Sequence, residues 1–298
     1  MLAQNQIDAF RRDGVLILRQ AIPAAIRLEL HAAAQRVRRS AEAQLSAGIR
    51  IDPYRDQTSP RHADFTWGVN EITRPEFHDP VLLNAIGLPA IQSALSNLLD
   101  QPRAWGQKIL WAPRACAYDL HWHRDIADAY DSMLPFKPLA NDHIQFNAAL
   151  GHDPSFRVVP GTHRRCLSVA ERAAMTADRW GPIPGEVQLP LEPGDILLMD
   201  AHALHRGSVS AGADRLTLHF SFQANWVPLW PWGEADHFAR ISSEAFIASL
   251  DPTVQPCYRR LTGHQAASDQ QAWLIAHARA CGWQPPADWQ PPRTDYAA

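Results

Sequence analysis

Eight residues near the end of the chain's middle section constrain the fold most. In RLTLHFSF, residues 215–222, Arg215, Thr217, His219 and Ser221 alternate with Leu216, Leu218, Phe220 and Phe222. Side chains two apart share one face of an extended strand, so this segment is a strand with one polar and one apolar face. The apolar face requires helices or a second sheet behind it. The polar face does not point into bulk core and suits a wet cavity. Arg215 at its head can grip a carboxylate or phosphate in a fork.

Other short apolar or alternating runs accompany it: QKILWA at 107–112, HIQFNAAL at 143–150, FRVVP at 156–160 and DILLMDA at 195–201. Turn residues in GHDPS, PGTH, LEPGD and SAGAD separate most of them. This spacing predicts a mainly β fold, a barrel or sandwich with flanking α-helices. Helices are expected at 4–12, 23–46, 79–100 with a break at Pro89, 168–178, 234–249 and 267–281. A strand is expected at 15–18, and a long surface loop at 50–75. With no repeat, linker or charge block, residues 1–298 read as one domain. It comprises a helical support over 1–100, a β core over about 104–225 and a helical extension over 226–298.

The net charge of −3 gives no global reason to expect nucleic acid or an anionic membrane as partner. No run approaches the roughly 20 apolar residues of a membrane span, and the segment MLAQNQIDAFRRDG lacks the apolar stretch of a signal peptide. Cys116, Cys166, Cys257 and Cys281 are too scattered for a zinc knuckle or a redox pair. A reduced, cytoplasmic setting and a small-molecule substrate are the expectation. The tryptophans at 226, 230, 232, 273, 283 and 289 are read as core rather than as an aromatic substrate box.

The segment LHWHRD, residues 120–125, concentrates ligand chemistry. His123 and Asp125, two apart, project from one side of an extended chain and can grip one ion. His205 or His202 can supply a third ligand. Two imidazoles and one carboxylate with open positions form the facial triad of non-haem Fe(II) oxygenases. Either member of the pair alone is a common surface residue. Their joint occurrence with a later histidine and with Arg215 opening the next strand is what carries the reading.

The ordered set FRRDGVLIL, HWHRD, RVVPGTHRR, GDILLMDAHALHRGSV and DRLTLHFSF, over roughly 5–225, resembles the phytanoyl-CoA dioxygenase family of Fe(II)- and 2-oxoglutarate-dependent oxygenases. The resemblance implies a double-stranded β-helix, a jelly-roll of the cupin kind, holding iron at its mouth. It implies His123, Asp125 and His205 as ligands and Arg215 as the partner of the far carboxylate of 2-oxoglutarate. The RGS after His205 and the ten residues to Arg215 favour it over His202. By the same likeness Ser208 assists the arginine and Gln107 lines the cosubstrate pocket. His121 is assigned to the surroundings of the metal, Pro160, Gly161 and Thr162 to a turn in the barrel wall, and His163 to structure. Gln145 and Asn147 share a face; a substrate contact and a structural role stand equally open for them.

The implied chemistry uses iron, 2-oxoglutarate and dioxygen to oxidise a small organic metabolite, releasing succinate and carbon dioxide. Hydroxylation leads, ahead of desaturation, ring formation or demethylation. Asp125 disfavours halogenation, because related halogenases lack the ligand carboxylate. A zinc hydrolase or cupin-like isomerase is the rival enzyme, although Arg215 then has no assigned partner. A catalytically silent binding protein on the same barrel is the rival of another class. Nothing in the sequence specifies a CoA thioester. The substrate pocket is expected between the 50–75 loop, the 126–143 insert and the C-terminal helices.

Overall fold

The computed structural model describes residues 2–46, 62–63, 68–112, 117–125, 128–136, 141–227, 235–261 and 270–290. Helix α1 (Gln4–Asp13) buries Ile7 and Phe10 and ends at Gly14, whose φ of 74° is the left-handed conformation of a helix C-terminal cap. A Cβ at Gly14 would come within 2.5 Å of the His163 ring, so both conformation and space demand glycine. Then follow β1 (Val15–Leu18), α2 (Ala24–Ser46), β2 (His62–Ala63), β3 (Gly68–Val69), α3 (Pro80–Asn84) and α4 (Pro89–Leu98). Pro89 opens a new helix because a first-turn position needs no backbone donor.

The core strands are β4 (Arg103–Trp111), β5 (Tyr118–Leu120), β6 (His143–Ala149), β7 (Phe156–Val158), β8 (Val187–Gln188), β9 (Ile196–Asp200), β10 (His205–Val209) and β11 (Leu216–Gln223), with α5 (Val169–Ala177) between β7 and β8. They form a six-stranded sheet in the order β1-β9-β6-β11-β4-β3 and a five-stranded sheet in the order β2-β5-β10-β7-β8. The pairings are antiparallel except for β2 with β5. The two sheets form a jelly-roll, a double-stranded β-helix. Four short helices follow: α6 (Ala235–Ile241), α7 (Glu244–Ala248), α8 (Gln255–Arg259) and α9 (Gln270–Ala280).

The alternation in β11 is realised as two environments. Leu218, Phe220 and Phe222, with Ile144, Phe146 and Ala148 of β6 and Ile109 and Trp111 of β4, join one core with residues of α2, α4, α7 and α8. Burying each phenylalanine there contributes about 1.5–3 kcal/mol. On the opposite face, register pairs Lys108 with His219 and His219 with Asn147, making one polar row across three strands. Beside these polar residues, Phe156, Val158, Leu191, Leu197 and Met199 pack as a second apolar cluster.

Residues of α6, α7 and α8 pack into the large core together with the outer face of β4, so these helices do not wall the cavity as expected. Among the described residues of the C-terminal extension none lines it. Of the described tryptophans, Trp283 is buried with Met133 and Ala278, while the half-buried Trp226 and Trp273 pack against the large core with 5.8 Å between ring centroids. Trp230, Trp232 and most of the 50–75 loop lie outside the described residues. Among the described residues no single helix is long and apolar enough to cross a membrane.

Candidate active site

His123 and His205 face each other across an isolated antiparallel bridge, each backbone N–H donating to the other's carbonyl at 3.0 Å. Directly opposed residues in such a pair hold their side chains together, and the ring centroids are 4.3 Å apart. Each ring is oriented by its own backbone. Nδ1 of His123 lies 2.8 Å from the His121 carbonyl, and Nδ1 of His205 lies 2.9 Å from the Ala203 carbonyl. A carbonyl accepts only from N–H, so both Nδ1 atoms carry the proton and both Nε2 atoms present lone pairs.

Asp125 completes the group. Its Oδ1 is 4.0 Å from Nε2 of His123 and its Oδ2 is 3.9 Å from Nε2 of His205. The three donor atoms lie within 4.8 Å of one another, a set that can close on one cation. The backbone N–H of Asp125 donates to Ala201, and Nε2 of Gln145 donates to Oδ2 at 2.8 Å, which pins the carboxylate plane. Burial alone would raise this carboxyl, but nearby positive charge, from His205 and His123 whenever they carry a second proton and from Lys108, holds it below its usual range. It is therefore ionised and ready to bind metal.

The residue between the ligands ties the site to the scaffold. Arg124 pairs with Asp131 at 2.6 Å and donates to the carbonyls of His202, Thr162 and Arg165. Thr162 in turn accepts the Leu204 backbone N–H through its hydroxyl, one residue before His205. The PGTH turn thus fixes both ligand-bearing segments. His163 itself donates to the Arg11 carbonyl and is structural.

A cavity of about 680 Å³ opens beside the triad. Arg215 is buried on its wall, and its Nε donates to Oδ2 of Asp153 at 3.1 Å. Thr217 also donates to that oxygen, at 2.6 Å, and Ser155 donates to Oδ1 through both backbone N–H and hydroxyl. Burial would raise the Asp153 carboxyl, yet the charge of Arg215 and the bonds from Ser155 and Thr217 hold it low. One guanidinium nitrogen, Nη1, is buried with no hydrogen-bond partner among the described residues. Such an orphan donor costs about 1–3 kcal/mol unless a ligand satisfies it.

Sequence reasoning missed Asp153, which stands in the GHDPS turn and carried only a turn signal. Ser208 and Gln107 need correction. Ser208 is three residues from His205, hence on the other face of β10, and its hydroxyl donates to Asp119 at 2.5 Å. Gly207, two residues from His205, lines the cavity in its place. Gln107 is fully buried on the helix-facing side of β4, while its neighbour Lys108 lines the cavity. Both errors are shifts of one residue, which exchange the faces of a strand.

His121 lines the cavity 5.3 Å from the His123 ring. His202 is turned away from the triad, its Nε2 2.8 Å from Asp142. Gln145 and Asn147 both face the cavity, where Asn147 accepts from Nδ1 of His219 at 2.9 Å. Burial, with Lys108 nearby, lowers the His219 imidazole to about 3, so it is neutral.

Comparison with protein families finds a match to the phytanoyl-CoA dioxygenase family over residues 10–215. Comparison with curated proteins finds no match. Among solved structures, AviO1 from Streptomyces viridochromogenes Tue57 is 21% identical, with 77% of this chain and 97% of that one covered at a TM-score of 0.52. EctD from S. alaskensis with bound Fe is 20% identical, covering 75% and 77% at 0.53. HygX from Streptomyces hygroscopicus with nickel and 2-oxoglutarate is 16% identical, covering 80% and 94% at 0.51. At these identities the likeness establishes a shared fold.

Proposed function

Because the chain belongs to the phytanoyl-CoA dioxygenase family, whose members are 2-oxoglutarate-dependent non-haem iron oxygenases, we propose that His123, Asp125 and His205 hold Fe(II) and that Arg215 holds the far carboxylate of 2-oxoglutarate. The enzyme then oxidises, most simply hydroxylates, a small organic molecule in the cavity, with release of succinate and carbon dioxide. Residues 1–298 act as one domain around this site.

The observation that carries the reading is the pairing of two features on one cavity. Two imidazole lone pairs and a pinned carboxylate converge on a point, and a buried guanidinium nitrogen without a partner among the described residues belongs to the same wall. The donor set fits a facial-triad metal, and the orphan donor fits a carboxylate. When bound, iron and 2-oxoglutarate supply the oxidising power that no side chain here possesses.

The protein's own residues supply position. Gln145 keeps the Asp125 carboxylate from rotating, and the Nδ1 bonds keep both rings in the ligating tautomer. Asp153 and Thr217 fix the guanidinium of Arg215 so that a forked contact needs no rearrangement. Phe156, stacked 5.7 Å from the His205 ring, shields one side of the site.

Anaerobic protein loaded with Fe(II) and 2-oxoglutarate should show a weak visible charge-transfer band, which a directly chelated keto acid gives. Admitting oxygen should discharge the band and yield succinate. Zinc has no accessible redox chemistry and should give neither. Tight Fe(II) binding with no band and no succinate would falsify the oxygenase reading and favour a zinc-type hydrolase.

A further inference from the structure

The cavity holds more positive charge than metal and cosubstrate account for. Its lining includes Lys108, Arg124, Arg179, Arg206 and Arg215, against Asp125 and Asp153. Arg124 pairs with Asp131 at 2.6 Å, and Arg215, assigned to the cosubstrate, also pairs with Asp153 at 3.1 Å. Arg206 donates to the Trp180 carbonyl and lies over the Trp122 ring. Lys108 and Arg179 are different. Neither side chain has a hydrogen bond or an ion pair among the described residues.

Lys108 stands on the inner wall, in the row with His219 and Asn147, and its charge reaches Asp125. His219 beside it is neutral and already spends its Nδ1–H on Asn147, so it offers Lys108 no counter-charge. An ammonium in a confined site that has no hydrogen-bonded counter-ion among the described residues, and whose carboxylate neighbour Asp125 is assigned to the metal, is unfavourable unless a ligand brings the opposite charge. Arg179 is exposed at the same cavity and extends the positive field outward, where it can steer an anion inward.

On the reading that 2-oxoglutarate places one carboxylate on the metal and the other on Arg215, both of its charges are spent. We therefore propose that the primary substrate is itself an anion, a small molecule whose carboxylate or phosphate is bound by Lys108 after entry past Arg179. Lys108 is then a specificity-determining residue. It decides which part of the substrate faces the triad, and it discriminates against neutral analogues, which leave the ammonium unpaired.

The test uses the full chain loaded with zinc, which holds the site redox-silent, and saturated with 2-oxoglutarate. Titration calorimetry then compares phenyl phosphate, benzoate and neutral benzyl alcohol. One or both anions should bind with benzyl alcohol much weaker, and which anion binds separates a phosphate from a carboxylate substrate. Lys108→Met should weaken the anion by roughly ten- to a hundredfold, the loss of one charge-assisted contact, while 2-oxoglutarate binds as to wild type. Lys108→Arg, which keeps the charge, should retain anion binding, and Lys108→Gln serves if the methionine variant does not fold. Wild-type protein that binds 2-oxoglutarate but neither anion, or a Lys108→Met variant that binds the anion undiminished, overturns the proposal and leaves the oxygenase reading intact. Loss of 2-oxoglutarate binding in Lys108→Met also overturns it, by assigning the lysine to the cosubstrate. A wild-type protein that binds no 2-oxoglutarate sinks the oxygenase reading itself, and this proposal with it.

Discussion

His202 and His205 stand three residues apart, yet only one can reach a shared ion. Nε2 of His205 faces Asp125, whereas Nε2 of His202 is 2.8 Å from Asp142 in a buried pair. Asp125→Ala and His205→Ala should each abolish tight Fe(II) binding measured by metal analysis, because the two remaining ligands hold iron weakly. His202→Ala should keep its metal and instead lose about 1–3 kcal/mol of stability, since Asp142 loses a buried hydrogen bond. Metal retained in His205→Ala but lost in His202→Ala would move the third ligand. Arg215→Ala removes a charged partner worth about 3–5 kcal/mol when a buried pair is broken. Its affinity for 2-oxoglutarate should therefore fall by about two orders of magnitude or more, read by titration. Asp153→Asn should give a smaller loss, because it loosens the fork without removing it. An unchanged affinity in Arg215→Ala eliminates the arginine from the cosubstrate site. The histidines, Asp125 and Arg215 were legible because their chemistry is local to short motifs. Asp153 was not, because its meaning comes from a contact with Arg215 across 62 positions.

Long strands announce themselves by alternation, and the short ones here do not. RLTLHFSF and HIQFNAAL were readable because every second residue changes environment, and the observed β11 and β6 follow that pattern. HRGSV, the observed β10, has one apolar residue and reads as a turn; only its pairing with β5 and β7 makes it a strand. The same weakness hid the face of Ser208, since no alternation marks which side of β10 points inward. Gln107 failed for another reason. Its assignment to the cosubstrate pocket rests only on the family likeness, with no reading of which face of its strand it takes. The structure turns Lys108 inward and the glutamine into the helix-facing core, where both of its side-chain polar atoms lack a partner among the described residues. The two faces of β11 can be separated experimentally. Phe220→Ala, on the helix-facing side, should cost about 3–5 kcal/mol in denaturant unfolding and leave 2-oxoglutarate affinity unchanged. Thr217→Val, on the cavity side, should weaken 2-oxoglutarate binding by releasing Asp153, with a smaller stability loss. Equal effects of both on cosubstrate binding would show that the faces are not functionally distinct.

At the scale of the molecule, the site exists only when the two sheets are assembled. His123 and Asp125 lie after β5 and His205 opens β10 in the minor sheet, while Gln145 of β6 belongs to the major sheet and Arg215 immediately precedes its strand β11. The unfolded chain cannot present this set, so metal and cosubstrate bind the native state alone and raise its stability by mass action. A ligand at a hundredfold excess over its dissociation constant adds about 2.7 kcal/mol. Thermal unfolding under anaerobic conditions should thus rise with Fe(II), and 2-oxoglutarate should raise it further. The second shift depends on the first if the cosubstrate binds partly to the metal. Without metal, 2-oxoglutarate keeps only its contact with Arg215 and should give a much smaller shift. In Asp125→Ala the metal-dependent part should vanish while the small metal-independent shift survives, and in Arg215→Ala the reverse should hold. A shift with 2-oxoglutarate that is the same with and without Fe(II) would mean that the cosubstrate never touches the ion, and the shared site proposed for them would have to be abandoned.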